Sequence, residues 1–407
     1  AGAGSGKTSV ITRKIAYLIE QLGIPGRHIA AVTFTNKAAR EMKERVGRIV
    51  DRKLTRGLIV STFHNLGLNM IREEHTHLGY HPGFSIFDAE DAKALLQDLM
   101  LREASAEAGD ELNDIQMTIS SWKNAMRGPA EALSKAADER EQRIAIIYKK
   151  YNEYLKAYNA VDFDDLILLP VMLFRSNPDV LAKWRRKIRY MLVDEYQDTN
   201  VCQYELVKQL VAERAAFTVV GDDDQSIYAW RGARPENLAQ LKEDFPSLKI
   251  VKLEQNYRST ARILRSANTV IANNPHVFEK ALWSDHTIGE EIRIVRCRNE
   301  DAETDRVATE ILDQKLKKGL DFRDFAVLYR GNHQARLLEM KLQAYQIPYR
   351  ISGGQSFFSK NEIKDAMSYL RLLINPDDDA AFLRVVNVPR REIGPRTLEQ
   401  LSHYARS

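Results

Sequence analysis

Cysteine is nearly absent: in 407 residues only Cys202 and Cys297 occur, far apart and outside any metal-ligand spacing. That excludes a disulfide framework and a thiolate metal site, and it implies a reducing, cytoplasmic setting. No apolar run approaches the roughly 20 residues that span a bilayer, so no helical anchor and no membrane partner are expected. Charge of one sign is also scarce. With 60 Lys and Arg against 56 Asp and Glu, the net charge is +4, so attraction to nucleic acid has to come from local basic stretches. Low-complexity segments and short repeats are missing too. What is present, 44% hydrophobic and 29% charged residues, is the balance of a globular chain long enough for two to four domains.

The first eight residues, Ala1-Gly2-Ala3-Gly4-Ser5-Gly6-Lys7-Thr8, end in the Gly-Lys-Thr of a phosphate-binding loop, with Ala1 in place of the usual first glycine. Glycines let the backbone curl until its N–H groups point at phosphate oxygens. Lys7 then reaches the β and γ phosphates, and the Thr8 hydroxyl takes Mg²⁺. Ile11, Ile15, Leu18 and Leu22 follow at helical spacing, and Gly23 stands where a left-handed cap would close that helix. Such a loop normally joins a strand to a helix, yet the numbering begins inside the motif, so a fragment of a longer protein is expected.

Further along, 28–35 and 57–63 read as buried parallel strands around a charged helix from Lys37, which implies a parallel sheet with helices on both faces. From about 80 to 160 the composition turns to Ala, Glu and Lys, as in an inserted helical subdomain. Strands resume at 188–193, 217–220 and 250–253. A second alternating unit has strands at 292–297, 325–329 and 348–351 with helices at 301–318 and 333–346, and the chain is helical again after 353. Two basic stretches, Lys37 to Arg56 and Lys183 to Arg189, are either solvated helix faces or nucleic-acid contacts.

Two later segments carry chemistry. Met191-Leu192-Val193-Asp194-Glu195 is a strand ending in two acids; Asp194 is expected to hold Mg²⁺ and Glu195 to orient and deprotonate the attacking water. The segment 221–232 follows another strand and mixes Gln225, a candidate sensor of the γ phosphate, with Tyr228 and Trp230, whose faces could stack on bases. Trp230 could equally be a buried packing residue.

These segments, with Ala31 to Ala39, Ser61-Thr62-Phe63-His64, Val193 to Asp198 and Leu253-Glu254-Gln255-Asn256-Tyr257-Arg258-Ser259, resemble the successive motifs of superfamily 1 DNA helicases of the UvrD/Rep/PcrA group, nearest its Rep branch. The resemblance covers essentially the whole chain. It implies an α/β fold of tandem RecA-like P-loop NTPase domains with helical insertions: a first domain at 1–80 and 161–255, an inserted subdomain at 81–160, a partial second domain at 256–352, and the start of a second insertion at 353–407. It implies ATP and Mg²⁺ as cofactors. Single-stranded DNA and single/double-strand junctions would be the substrates, 3′ to 5′ the direction, and replication or repair proteins the partners of a monomer or weak dimer.

Carried over by position, Tyr257 would stack near adenine and Arg258 would be an arginine finger on the γ phosphate. Phe34, Thr62, His64, Phe163, Tyr228, Trp230, Arg231, Arg330 and Asn332 would line the strand path. From the residues alone, Phe163 reads equally as a hydrophobic staple before a helix. Ser9 stands where the family usually has a nucleotide-contacting arginine, which puts that contact in doubt. The family's upstream glutamine and last two motifs fall outside these residues, so the 407-residue chain is expected to hydrolyse little ATP. A translocase that strips proteins from DNA, a helicase-nuclease subunit and a non-catalytic binding fragment are the alternatives.

Overall fold

A run of five buried residues, Ile29–Thr33, forms strand β1, and helices cover both of its faces. In the computed structural model, which describes residues 1–102, 110–275, 278–352, 360–394, 397, 400, 401 and 404, the chain forms two compact units. One is Ala1–Glu290 with Ser368–Ser407, the other Glu291–Met367. In the first, α1 (Lys7–Glu20) leads out of the phosphate loop. Ile11, Ile15 and Leu18 are fully buried, whereas Leu22 lies past the helix end and is exposed. Gly23 takes the expected left-handed conformation, with φ 63°. After β1, α2 (Asn36–Ile49) returns the chain to β2 (Ile59–Thr62), parallel to β1 with Thr33 opposite Thr62. Helix α3 (Phe63–Glu74) starts directly at the end of β2.

The stretch read as purely helical carries two short strands at its ends, β3 (Ser85–Phe87) and β4 (Ala160–Asp162), paired in parallel. Three residues each are too few to show an alternation, so their composition gives no strand signal. Between them are α4 (Ala89–Arg102), α5 (Asp110–Asn124), α6 (Pro129–Ser134) and α7 (Glu139–Ala157), which share their own core around Trp122, Tyr148 and Tyr151. Next come α8 (Asp165–Ser176), α9 (Pro178–Lys187), β5 (Tyr190–Val193), α10 (Val201–Val211), β6 (Phe217–Val219), α11 (Asn237–Asp244) and α12 (Ala261–Ile271).

The main sheet has the order β2-β1-β5-β6 and every pairing in it is parallel. Alternate residues of β1 serve opposite cores. Ala30 and Val32 join a cluster with residues of α3, α8, α9 and α10, while Ile29 and Ala31 join one with α1 and α2. The second basic stretch is spent inside this unit: Lys183 binds Glu74 at 2.7 Å and Glu73 at 3.0 Å, Lys187 binds Glu73 at 2.5 Å, and Arg185 binds Glu213. It ties α9 to α3 and α10. The first stretch, Lys37 to Arg56, stays exposed along α2 and the turn after it.

In the second unit α13 (Glu300–Lys318) and α14 (Ala335–Ala344) pack through Ala308, Ile311, Leu338 and Leu342. The strands expected at 292–297, 325–329 and 348–351, like that at 250–253 in the first unit, form no ladder. Ile294 is 95% and Leu328 94% exposed, so their apolar runs have the composition of buried strands while no partner strand covers them. Helices α15 (Asn361–Ile374) and α16 (Asp379–Val385) follow. Asp378, fully buried, accepts from Ser85 Oγ, from Ala381 N at 2.9 Å and from Arg371 Nε at 2.9 Å, which fixes residues after 368 to the first unit. No helix among the described residues is long and apolar enough to cross a membrane.

Gly67 lets α3 lie directly on α8: a Cβ there would run into the Leu166 carbonyl. Gly47, within α2, has open space around the same position. One chemical change should therefore act with opposite sign at the two sites. Gly67→Ala is expected to destabilise the protein by about 1–3 kcal/mol through overpacking, and Gly47→Ala to stabilise it by about 0.5–1 kcal/mol through helix propensity. Urea unfolding of both variants checks the pair.

Candidate functional site

Parallel strands put their C-terminal ends on one edge of the sheet, and that edge gathers the segments that carry chemistry. Phe34 follows β1, Thr62 ends β2, Asp194 follows β5, and Gly221 to Gln225 follow β6. The phosphate loop closes over them. Gly4 (φ 69°) and Gly6 (φ 87°) are left-handed, the Ser5 hydroxyl donates to the Gly2 carbonyl at 2.6 Å, and α1 begins at Lys7 itself. Ala3 and the glycines thus form the cradle, with the N-terminus of α1 at its base.

Lys7 is buried, its ammonium 3.6 Å from Asp222 and donating to the Ala1 carbonyl at 3.3 Å. Thr8 Oγ1 lies 3.5 Å from Asp194 Oδ2. Burial, and then the charge of Glu195, pushes the Asp194 carboxyl up to about 6, and the same two causes push Asp198 up to about 6. Acids that have lost water beside one another gain most from a nearby cation. A hydroxyl and a carboxylate within reach of each other are hard oxygen donors of the kind Mg²⁺ takes, so Thr8 and Asp194 fit that ion. Glu195 holds a left-handed backbone at φ 50°, unusual for a residue with a side chain, and its carboxylate accepts from Gln197 Nε2 at 3.0 Å.

Gln225 donates to Asp222 rather than standing free, so the same carboxylate faces Lys7 and Gln225. Four contributors here escaped the sequence reading. Gln197 links the two acidic segments: its amide nitrogen reaches Glu195 and its oxygen accepts from Asp222 N at 2.9 Å. Lys280 inserts its ammonium among Asp222 (2.6 Å), Asp223 and Asp224 (3.0 Å), and so fills a carboxylate cluster that could otherwise gather a metal ion. Asn256 binds the Ala3 carbonyl at 2.5 Å and accepts from the N–H groups of Arg258 and Ser259. Leu282 packs against Gly2. Each also touches a residue far from it in sequence, and only the quoted runs Val193 to Asp198 and Leu253 to Ser259 hinted at two of them, Gln197 and Asn256.

Tyr257 donates its N–H to the Gly4 carbonyl at 3.0 Å, and the Arg258 Cβ lies 2.9 Å from where a Cβ on Gly4 would stand. Both side chains are exposed, so the structure brings the adenine-stacking and arginine-finger candidates to the loop's rim. Ser9 is exposed on α1.

The strand-path candidates divide. His64 and Phe163 meet edge to face with centroids 5.9 Å apart, and Phe34 packs on Phe63 at 6.0 Å. Phe163 is 50% exposed, which a staple buried against its helix would not be. Burial keeps the His64 imidazole below its usual pKa, so it presents a neutral ring. Tyr228 and Trp230 lie 6.5 Å apart, and Trp230 is 69% exposed, not a core residue. Thr62 is buried, and its hydroxyl caps α3 by accepting from Asn65 N at 3.2 Å. The side chain of Arg231 lies outside the described residues. Arg330 and Asn332 belong to the second unit, both exposed at the turn before α14.

A family model for the UvrD/REP helicase N-terminal domain matches residues 1–246, and one for the UvrD-like helicase C-terminal domain matches residues 251–407. The chain is 57% identical over 406 residues to the ATP-dependent DNA helicase Rep of Escherichia coli, an alignment that takes in 100% of this chain and 60% of that protein. The Rep helicase of Salmonella typhimurium gives the same figures. The ATP-dependent DNA helicase PcrA of Staphylococcus aureus is 42% identical over 405 residues, with 100% of this chain and 55% of the relative covered. The chain thus spans about 60% of the length of its Rep relatives.

A carboxyl that titrates near 6 binds a divalent cation only when ionised. Affinity for Mn²⁺, read by electron paramagnetic resonance, should therefore fall about tenfold between pH 7.5 and pH 5. Asp194→Asn should weaken binding and remove that dependence on pH.

Proposed function

The chain belongs to the UvrD/Rep helicase family, and from that premise we propose that the protein it forms is an ATP-driven motor that moves along single-stranded DNA and separates duplex ahead of it. The observation that carries the reading is the meeting of Thr8 with Asp194 at 3.5 Å beside a buried Lys7. Phosphate loop, metal-holding acid and candidate water-orienting acid come together from distant segments.

Lys7 binds the phosphates, while Thr8 and Asp194 would hold Mg²⁺, which would supply positive charge to the phosphate oxygens. Glu195, steadied by Gln197, orients the attacking water and takes its proton. Arg258 on the loop's rim meets charge that develops on the transferred phosphoryl group, and Gln225 senses the γ phosphate from its place on Asp222. Tyr257 stacks near adenine. Tyr228, Trp230, His64 and Phe163 offer ring faces to successive bases, and the exposed basic face of α2 supplies phosphate contacts. Arg330 and Asn332, on the exposed turn before α14, contact the strand from their own unit. The direction is 3′ to 5′, and the work is replication restart or repair.

In the full-length protein Lys7→Ala should abolish ATP hydrolysis and leave single-strand binding largely intact, measured by phosphate release and by fluorescence anisotropy with an oligothymidylate. Parallel loss of both would count against these roles. Trp230→Ala should weaken strand binding by about 1–3 kcal/mol. An unchanged affinity would remove it from the path.

A further inference from the structure

Phe163 stands at the turn between β4 and α8, and the two residues flanking that turn are cross-tied. Asp165 N donates to Asp162 Oδ1 at 2.9 Å, and Asp162 N donates to Asp165 Oδ2 at 3.3 Å. Such a pairing fixes the backbone on both sides of Phe163, but it also buries two carboxylates next to each other. Two like charges out of water do not hold that geometry unaided.

The compensating charge comes from the inserted helices. Lys123, near the end of α5, is 0% exposed and donates to Asp162 at 2.7 Å and to Asp165 at 2.8 Å. Tyr151 of α7 adds a hydroxyl bond to Asp162 at 2.9 Å. The next residue, Asn124, donates to Asp164 at 2.9 Å and accepts from Asn200 at 2.5 Å. Asn200 caps α10, six residues beyond Asp194. Burial and Asp162 push Asp165 up to about 7 and Asp164 up to about 6, so the turn is electrostatically loaded and depends on its one buried ammonium. What this load aims is the Phe163 ring, half-exposed against His64.

We propose that Lys123 is a positioning residue for strand binding: it touches no base, and it holds the Asp162–Asp165 turn so that Phe163 presents its ring beside His64. The proposal rests on the reading of Phe163 as a strand contact. A lysine–carboxylate cluster buried only for stability would be costly, since replacing all of its members by well-packed apolar side chains does that at least as well. Its geometry, spanning both flanks of one exposed aromatic, is what a positioning role requires.

The test is a double-mutant cycle in the full-length protein, with oligothymidylate affinity read by anisotropy and nucleotide affinity read with a fluorescent ATP analogue. Phe163→Ala and Lys123→Met should each weaken strand binding about tenfold, leave nucleotide affinity unchanged, and together lose no more than either alone. Losses that multiply to about a hundredfold in the double variant would overturn the proposal, as would wild-type affinity in Lys123→Met. Wild-type affinity in Phe163→Ala would overturn the strand reading of that residue and the proposal with it. Should Lys123→Met not fold, Tyr151→Phe, which deletes only the hydroxyl bond to Asp162, takes its place in the cycle. A smaller loss that vanishes in the Phe163→Ala background supports the proposal, and an undiminished loss in that background overturns it.

Discussion

The parallel pairing of β1 with β5, Val32 against Val193, decides where the acids go. It carries through one further bond, Asp194 N to the Val32 carbonyl at 2.9 Å, and so delivers the Asp194 carboxylate to the start of α1, within 3.5 Å of the Thr8 hydroxyl. A slip of one residue would turn Asp194 to the other face and bury Glu195's neighbours in the wrong core. The small residues of β1 permit this pairing. Ala30 and Ala31 let helices approach from both sides, and each face of the strand is claimed by a different cluster. Register at the sheet's edge is therefore held by packing on both sides of it.

Around that edge the electrostatics are a standoff between acids and lysines. Asp222 is shared by Lys7, Gln225 and Lys280, while Asp194, Glu195 and Asp198 crowd one another on the other side of the loop. Lys280 adds charge to a segment that also meets the loop through backbone groups, with Gly2 N donating to Leu253 O and Tyr257 N to Gly4 O, and through the Asn256 amide on the Ala3 carbonyl. Charge and backbone contacts thus couple the loop to residues some 250 positions away. A phosphate entering this cradle would replace Asp222 as the partner of Lys7, and such an exchange costs less than stripping a lysine from water.

How much of this was legible in advance depended on the range of the interaction. The phosphate loop, α1 and the acids after β5 are local patterns, visible from spacing, and the loop and the acids gain their candidate roles only together. The four strands of the main sheet were legible for the same reason. The strands expected at 292–297 and 325–329 were not formed, because an apolar run states that a segment would be stable if covered and says nothing of what covers it. Phe163 and Trp230 each had two readings that only exposure could separate. Lys280 and Lys123 left no trace in the sequence, and Gln197 and Asn256 stood in quoted motifs without a role, since one lysine or amide among many acquires meaning only from partners that folding brings to it. The two basic stretches make the point from the other side: one is consumed in ion pairs with Glu73, Glu74 and Glu213, and the other is left exposed.

The motor proposed above needs its nucleotide end and its strand end to share structure, and the parts that the two candidate regions share are short. Ser226 donates to the Gln197 carbonyl at 3.4 Å, so the segment after β6 is tied to the segment after β5 just before it reaches Tyr228 and Trp230. Only two residues, Ser226 and Ile227, separate Gln225, bonded to Asp222, from Tyr228, and short 3₁₀ turns, Asp223–Gln225 and Ala229–Arg231, lie on either side of that stretch. On the other side Asn124 bridges the cap of α10 to the turn that carries Phe163. Each route runs through hydrogen-bonded backbone or buried amides rather than exposed side chains. Asp222 is thus linked to an exposed ring over a few residues of chain, and Asn200 through two side-chain hydrogen bonds, and no long-range field is needed to connect the two ends.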